Sequence, residues 1–374
     1  MRIIGEGLTF DDVLLVPLRS SVKTRRDVDV STRLTGNIAL SSPVISAPMD
    51  TVTTSSMASS MARNGGLGII HRFLGIEDQC AEVEMVKNAS VNLDVEESGN
   101  LLVKSKNIAL TDRQGRLVCG AAVGIKDTLE RSAALVKAGC DVLCLDIAHA
   151  HSESMISAIR AVKTEFPDTD LIAGNIATAE AAEDLISAGA DVVKVGIGPG
   201  STCTTRIVTG CGMPQLTAIA ICKEICKQNG IAMIADGGMR GSGDLVKALA
   251  AGADAGMFGG LFAGTNEAPS VLVEDGGKKF KVARGMASAG AFQSKLEIEG
   301  RLHEAHGTVP EGAEIRVPYH GSVDKVMAHL LAGLRSGMSY CNAHAIEDLQ
   351  KNARFIKVSH STQKESGPHN EFFI

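Results

Sequence analysis

The sequence predicts a (β/α)₈ TIM barrel in a single domain spanning residues 1–374, and three observations carry the prediction. Eight short apolar runs recur along the chain, stretches of helical period separate them, and the runs end on Gly, Asp or Ala. The runs fall at 44–46, 67–70, 120–123, 142–145, 171–173, 192–195, 233–235 and 256–258. Each is three or four residues long and almost wholly apolar, as a strand covered on both faces must be. Helical patterns occupy 127–138, 152–163, 179–188, 214–228 and 243–251. This alternation is the βα repeat, which an open doubly wound sheet would also show.

Two segments break the rhythm. Residues 75–114, between the second and third runs, read as a short polar insertion with little periodicity. Residues 267–319, after the eighth run, form a longer polar and charged insertion that holds Gly276-Gly277. In a barrel the loops after the strands carry the chemistry, so this second insertion is a candidate flap over a site. A tolerated surface excursion is the plainer reading of the same composition.

Composition narrows the function classes. The chain is 44% hydrophobic and 21% charged, ordinary for a globular protein, with 40 glycines to serve tight turns and close approach to phosphates. A formal net charge of −6 argues against nucleic-acid binding through a basic surface. Nine cysteines at irregular spacing do not form a disulfide framework and suit a reducing compartment. Cys222 and Cys226 lie four apart in a helical stretch with no second pair, and read as ordinary thiols. The opening MRIIGEGLTFDDVLL places acids where a signal peptide needs an apolar core, and no run is long enough to span a membrane. A cytoplasmic protein without membrane or nucleic-acid partners is expected.

The densest motif runs from Gly196 to Arg206 directly after the sixth strand: Gly-Ile-Gly-Pro-Gly-Ser-Thr-Cys-Thr-Thr-Arg. Its glycines let backbone groups converge on a phosphate or a cation, and Ser201 adds a hydroxyl. A cysteine in such a loop has its thiolate favoured by backbone dipoles, which makes Cys203 a candidate nucleophile; a tight turn with an inert thiol is the alternative. The other strand ends tilt towards chemistry. Asp236-Gly237-Gly238 and Gly259-Gly260 close the seventh and eighth strands, where barrels commonly bind phosphate, and Asp236 suits the two hydroxyls of a ribose. Asp146 and Asn175 end the fourth and fifth strands and suit sugar or amide contacts. His149 and His151 have no third ligand nearby and do not make a metal site.

Together these motifs resemble the inosine monophosphate dehydrogenase and guanosine monophosphate reductase family. The likeness rests on Leu8–Val13, Ala47–Val52, Gly65–His71, Asp146–Ser152, Ala173–Asn175, the cysteine loop, Ala235–Gly238 and Arg284–Met286, in order along most of the chain. The resemblance implies a purine nucleoside monophosphate as substrate and a covalent bond from Cys203 to purine carbon 2. Thr205 would then help activate water or ammonia. Ser201, Gly238, Gly259 and Gly260 would hold the phosphate, Asp236 the ribose, Met286 with Glu311 the base, and Met49 and Gly285 would also contact the substrate. Asp146, Asn175 and Gly196 would line the cofactor side. Carbonyls at Gly198, Gly200 and Cys203 would hold a potassium ion, completed by Glu365, Ser366 and Gly367 of a neighbouring subunit in a homotetramer.

The two branches of the family differ in chemistry. The dehydrogenase oxidises inosine monophosphate with NAD and hydrolyses the adduct, whereas the reductase uses NADPH to expel ammonia from guanosine monophosphate. Val309–Gly312, Arg316–Tyr319 and Lys364–His369 match the dehydrogenase, and Ala289 stands where reductases carry a catalytic glutamate. Against it, the flap's water-activating Arg-Tyr pair is reduced to Arg301-Leu302, and a phosphate-contacting tyrosine before Arg284 is Ala283. Residues 75–114 are also too short for the regulatory subdomain usual in dehydrogenases. The sequence therefore points to a dehydrogenase with Arg301 as flap base, a reductase as the alternative, and a non-catalytic nucleotide-binding regulator as a third reading that Cys203 and Thr205 oppose.

Overall fold

Eight parallel strands close into a barrel in the computed structural model, which describes residues 1, 3–92, 108–298 and 309–366. In chain order they are β1 (Val44–Ser46), β2 (Leu67–Ile70), β3 (Gly120–Val123), β4 (Val142–Asp146), β5 (Asp170–Ile176), β6 (Val192–Val195), β7 (Ala232–Asp236) and β8 (Ala255–Phe258). The seam is closed by β8 pairing with β1 through Gly256 with Val44, Met257 with Ile45 and Phe258 with Ser46. This removes the doubly wound alternative. The strands are buried almost throughout, so the core is the barrel interior plus the layer between strands and helices.

The surrounding helices are α1 (Ser55–Arg63), α2 (Ile76–Asn88), α3 (Thr128–Lys137), α4 (Glu153–Glu165), α5 (Ala179–Ala188), α6 (Gln215–Asn229), α7 (Ser242–Ala251) and α8 (Val323–Tyr340). Local chemistry sets their ends. The Thr178 hydroxyl accepts from the Ala181 amide to start α5, and Gly189, at φ 112°, turns the chain out of it towards β6. No helix among the described residues is long and apolar enough to cross a membrane.

Two segments differ from their sequence reading. The stretch expected to be aperiodic from residue 75 opens with α2, whose buried positions include Gln79 and Lys87 beside Val83 and Val86. Their polarity masks the apolar stripe. Gln79 donates to the Ala122 carbonyl at 2.9 Å, and Lys87 reaches Asp141 at 2.7 Å and Asp112 at 3.0 Å. The insertion after β8 builds an antiparallel sheet of β9 (Leu272–Asp275), β10 (Lys278–Arg284) and β11 (Glu314–Pro318). Gly276 and Gly277, at φ 58° and 74°, form the two-residue turn between β9 and β10. A helix, Ala289–Ile298, follows β10. The chain ends meet where Val13–Leu15 pairs antiparallel with Phe355–Lys357.

Candidate active site

The loop leaving β6 carries the candidate nucleophile, and its glycines are dictated by crowding. A side chain on Gly196, at φ 151°, would begin 2.0 Å from the Asp236 carbonyl oxygen. The Cys203 amide donates to the Gly200 carbonyl at 3.1 Å, folding the loop so that a short helix starts at Thr205. Cys203 is half-buried. Its thiol donates to Thr205 Oγ1 at 3.2 Å, and Thr205 Oγ1 donates to Glu311 Oε2 at 2.8 Å. Sulfur, hydroxyl and carboxylate thus form a continuous path along which a proton can leave the thiol.

Glu311 comes from the segment before β11, more than a hundred residues away, and backbone contacts fix it. Its amide donates to Ala287 at 3.0 Å, its carbonyl accepts from Thr204 at 2.9 Å, and the Ala313 amide donates to Thr202 at 2.7 Å. Gly312 bridges to both Cys203 and Ser288. The sequence reading gave Glu311 to the purine base; in the structure its carboxylate also faces the nucleophile's hydroxyl partner.

Beside this loop lies a cradle of bare backbone. A side chain on Gly237 would start 3.1 Å from the Gly200 amide nitrogen, and one on Gly260 would start 2.9 Å from Ser201 Oγ. Ser201 therefore converges with the ends of β7 and β8, and Gly238 adopts φ 81°. Gly259 abuts the Met49 sulfur, at 2.7 Å from a would-be Cβ. Backbone N–H groups with a hydroxyl, and no carboxylate among them, suit a phosphate.

Inside the mouth of the barrel, four strands contribute one polar residue each. Lys194, on β6 and only 1% exposed, reaches Asp146 Oδ1 of β4 and Asp236 Oδ2 of β7, each at 2.8 Å, and also donates to Asn175 Oδ1 of β5. Asn175 Nδ2 donates to Asp236 at 2.9 Å and to the Gly196 carbonyl at 2.7 Å. The two carboxylates outweigh the desolvation of burial and hold the lysine firmly protonated, its pKa raised above the ordinary value. The sequence reading named Asp146, Asn175 and Asp236 but missed Lys194. The signal was a lone charge inside a run of valines.

The floor after β1 holds Met49 and Asp50. Asp50, with a side chain 9% exposed, takes a forked contact from Arg284 at 2.8 and 2.5 Å, and its amide lies 3.3 Å from the Met286 sulfur. Burial pushes the neighbouring His71 down to about 4, so its ring is neutral near neutral pH and Nδ1 accepts from the Phe73 amide at 3.2 Å. A cavity of about 470 Å³ opens next to Ile147, just past Asp146. Its walls carry Arg72, Lys126, Arg131 and Lys295 against Asp127 and Glu130, an excess of positive charge that fits the diphosphate of a dinucleotide.

Cys203, Ser201, Gly238, Gly259, Asp236, Asp146, Asn175, Gly196, Met49, Gly285, Met286 and Glu311 lie on loops or strand ends at one rim, and Thr205 and Gly260 open short helices there. Gly198 and Gly200 belong to the same loop. Ser366 lines a separate cavity with Asp11, Arg240 and Thr362 of the same chain, and Glu365 ends the short helix before it. Arg301 and Gly367 lie outside the described residues. His151 pairs with Asp184 at 2.9 Å. Among the described residues no cluster of three or more His, Cys, Asp or Glu side chains could hold a metal ion.

The chain matches the family model "IMP dehydrogenase / GMP reductase domain" over residues 7–369. It is 48% identical to the inosine-5'-monophosphate dehydrogenase of Borreliella burgdorferi, across 100% of this chain and 99% of that protein. Against the inosine-5'-monophosphate dehydrogenase of Nitrosopumilus maritimus it is 42% identical, with 98% of each chain covered. Against the GMP reductase of Leishmania major it is 41% identical, covering 98% of this chain and 97% of that one. Among solved structures, a cysteine-to-alanine variant of GMP reductase from Trypanosoma brucei, in complex with guanosine 5'-monophosphate, superposes with a TM-score of 0.90 at 36% identity, over 98% of each chain.

Proposed function

Because the chain belongs to the IMP dehydrogenase / GMP reductase family, we propose that it oxidises inosine monophosphate to xanthosine monophosphate with NAD, through a covalent adduct on Cys203. The observation that carries the mechanism is the path from Cys203 through Thr205 to Glu311. In the bound nucleotide the cradle of Ser201, Gly238, Gly259 and Gly260 holds the phosphate, Asp236 takes the ribose hydroxyls, and Met49, Gly285 and Met286 border the base. Gly196, Asp146 and Asn175 face the cofactor, whose diphosphate fits the basic cavity beyond Ile147.

Glu311 draws the thiol proton through Thr205, and the thiolate adds to purine carbon 2. Bound NAD supplies a two-electron acceptor for the hydride that leaves carbon 2, and a thioimidate remains on Cys203. Once Glu311 has released the first proton to solvent, water adds to that carbon while Thr205 takes its proton and passes its own to Glu311; the carbon–sulfur bond breaks and Cys203 leaves as thiolate. Arg301 of the flap is a second candidate base for this water. Neutral carbonyls at Gly198, Gly200 and Cys203 form a donor set suited to potassium, with Glu365, Ser366 and Gly367 of a neighbour completing it in a cytoplasmic homotetramer.

Ala289, exposed at the start of its helix, offers no carboxylate where the reductase branch uses one, which favours the dehydrogenase. The missing flap tyrosine, Leu302 in this chain, favours a second reading, the NADPH-dependent reduction of guanosine monophosphate. Nicotinamide absorbance decides between them: it rises with inosine monophosphate plus NAD in the first case and falls with guanosine monophosphate plus NADPH in the second. Nucleotide binding by calorimetry without turnover in either mixture would leave a non-catalytic regulator. Replacing potassium with lithium should slow turnover, and a monomer in sedimentation would remove the shared cation site.

A further inference from the structure

We propose that Lys194 is a positioning residue that locks the nucleotide's ribose acceptor and the cofactor-facing groups into one rigid unit, setting the register between the two reactants for hydride transfer. The inference rests on the reading that Asp236 holds the ribose while Asp146 and Asn175 face the nicotinamide.

The geometry is that of a hub. One ammonium touches Asp146 on β4, Asn175 on β5 and Asp236 on β7, and its own strand is β6. Neither carboxylate belongs to the same side of the reaction as the other. Asn175 Nδ2 closes the ring by donating to Asp236 at 2.9 Å. The strand register keeps the lysine in place, since Lys194 lies opposite Gly174 on one side and Ile234 on the other. A side chain on Gly174 would start 2.6 Å from the Lys194 Cβ, so the glycine leaves the space that the lysine stem occupies. The other ionisable group facing the ammonium is the buried Cys144 thiol of β4, which its burial keeps neutral.

Stability does not explain such a hub. Taking an ammonium and two carboxylates out of water is costly, and an apolar layer of similar volume would serve a barrel interior as well or better. What the ionic ring supplies is direction. Lysine donates up to three hydrogen bonds, and here three go to three strands, which fixes the carboxylate orientations before any ligand arrives.

The test is Lys194→Met with inosine monophosphate carrying deuterium at carbon 2. Competent sites are counted by mass spectrometry of the Cys203 adduct, and the NADH burst is followed by stopped flow. The expected result is a burst rate per competent site about 100-fold below native, the loss a displacement of roughly 1 Å produces, with the full deuterium effect expressed in turnover. A merely structural lysine would reduce the number of competent sites and leave both the rate per site and the isotope effect native; that result overturns the proposal. Gly174→Ala, which crowds Lys194 while retaining every charge, should slow the same step, and serves if Lys194→Met does not fold. If neither variant folds, the hub is structural and the proposal fails. Asp236→Ala separates the underlying reading: if it leaves nucleotide affinity native, the ribose assignment is wrong, whatever Lys194→Met does. If the native protein produces no NADH, reaction and register fall together.

Discussion

Replacing Glu311 with glutamine probes the proton path most directly. The amide is isosteric, so Thr205 Oγ1 can still donate across the 2.8 Å contact to an oxygen at position 311, and the backbone bonds of that segment are untouched. What disappears is the capacity to accept a proton. A positioned general base contributes about 10²–10⁴ in rate, or about 3–5 kcal/mol of barrier. The loss should fall unequally on the two steps. Cys203 is half-buried, so solvent can reach its thiol and take the proton without Glu311, and hydride transfer slows little. In the proposed reaction the water that attacks the thioimidate loses its proton through Thr205 to Glu311, so hydrolysis bears the loss. Stopped-flow absorbance should therefore show an NADH burst near native rate followed by a steady phase lowered by about 10²-fold or more. The folding midpoint should shift by the worth of a single hydrogen bond, about 1 kcal/mol at most. A native steady phase in Glu311→Gln would refute the path and return Glu311 to a contact with the purine alone. Adding Arg301→Ala would then show whether the flap arginine carries the step.

Three further perturbations follow from the same site. Ser201→Ala removes one hydroxyl from the phosphate cradle and should raise the nucleotide Kd by about 10- to 100-fold, the worth of a hydrogen bond to a charged group, by calorimetry. Arg284→Ala strands the Asp50 carboxylate, 9% exposed, without its cation; chemical denaturation should show a loss of about 3–5 kcal/mol, and native stability would mean that the pair is not held in solution. The third concerns acid. Burial raises Asp254 to about 6, so its neutral form stabilises the fold as pH falls from about 6 towards the ordinary carboxylate value of 3.8. His71, depressed to about 4, works the other way: its contribution is present above 6.5 and is lost as pH falls towards 4. Each is worth about 3 kcal/mol, so they offset one another in the native protein. Asp254→Asn should therefore lose about 3 kcal/mol more than native between pH 6.5 and 4 in urea titrations, and parallel curves would contradict the burial argument.

The strand count was legible because a strand covered on both faces must be apolar. The strand ends were not. The apolar runs at 142–145, 171–173 and 233–235 stop just short of Asp146, Asn175 and Asp236, which the structure includes in β4, β5 and β7. The hydrophobic signal fails there because the barrel's mouth is where side chains cease to be core and begin to be site. The same reason hid Lys194: buried charge is readable only once its partners on three other strands are known. The β9–β10 hairpin was more accessible than the reading made it, since Asp275-Gly276-Gly277 between alternating residues is a strong turn signal. Glu311 could be named from family likeness, but its approach to Thr205 is a long-range contact that no local pattern encodes.

Lys87 has a bearing on how this architecture varies. With Asp112, Asp141 and the Leu117 carbonyl, it pins the connection between α2 and β3 at the rim where strands begin. Cys203 sits where strands end, so the whole height of the barrel separates the two. The clamp acts as a bulkhead: a module spliced into or removed from that connection loads Lys87 and its acids, while the strand ends that carry the nucleophile, the cradle and the Lys194 hub keep their spacing. A change of length in that connection is therefore expected to be felt at one rim and not in the chemistry at the other.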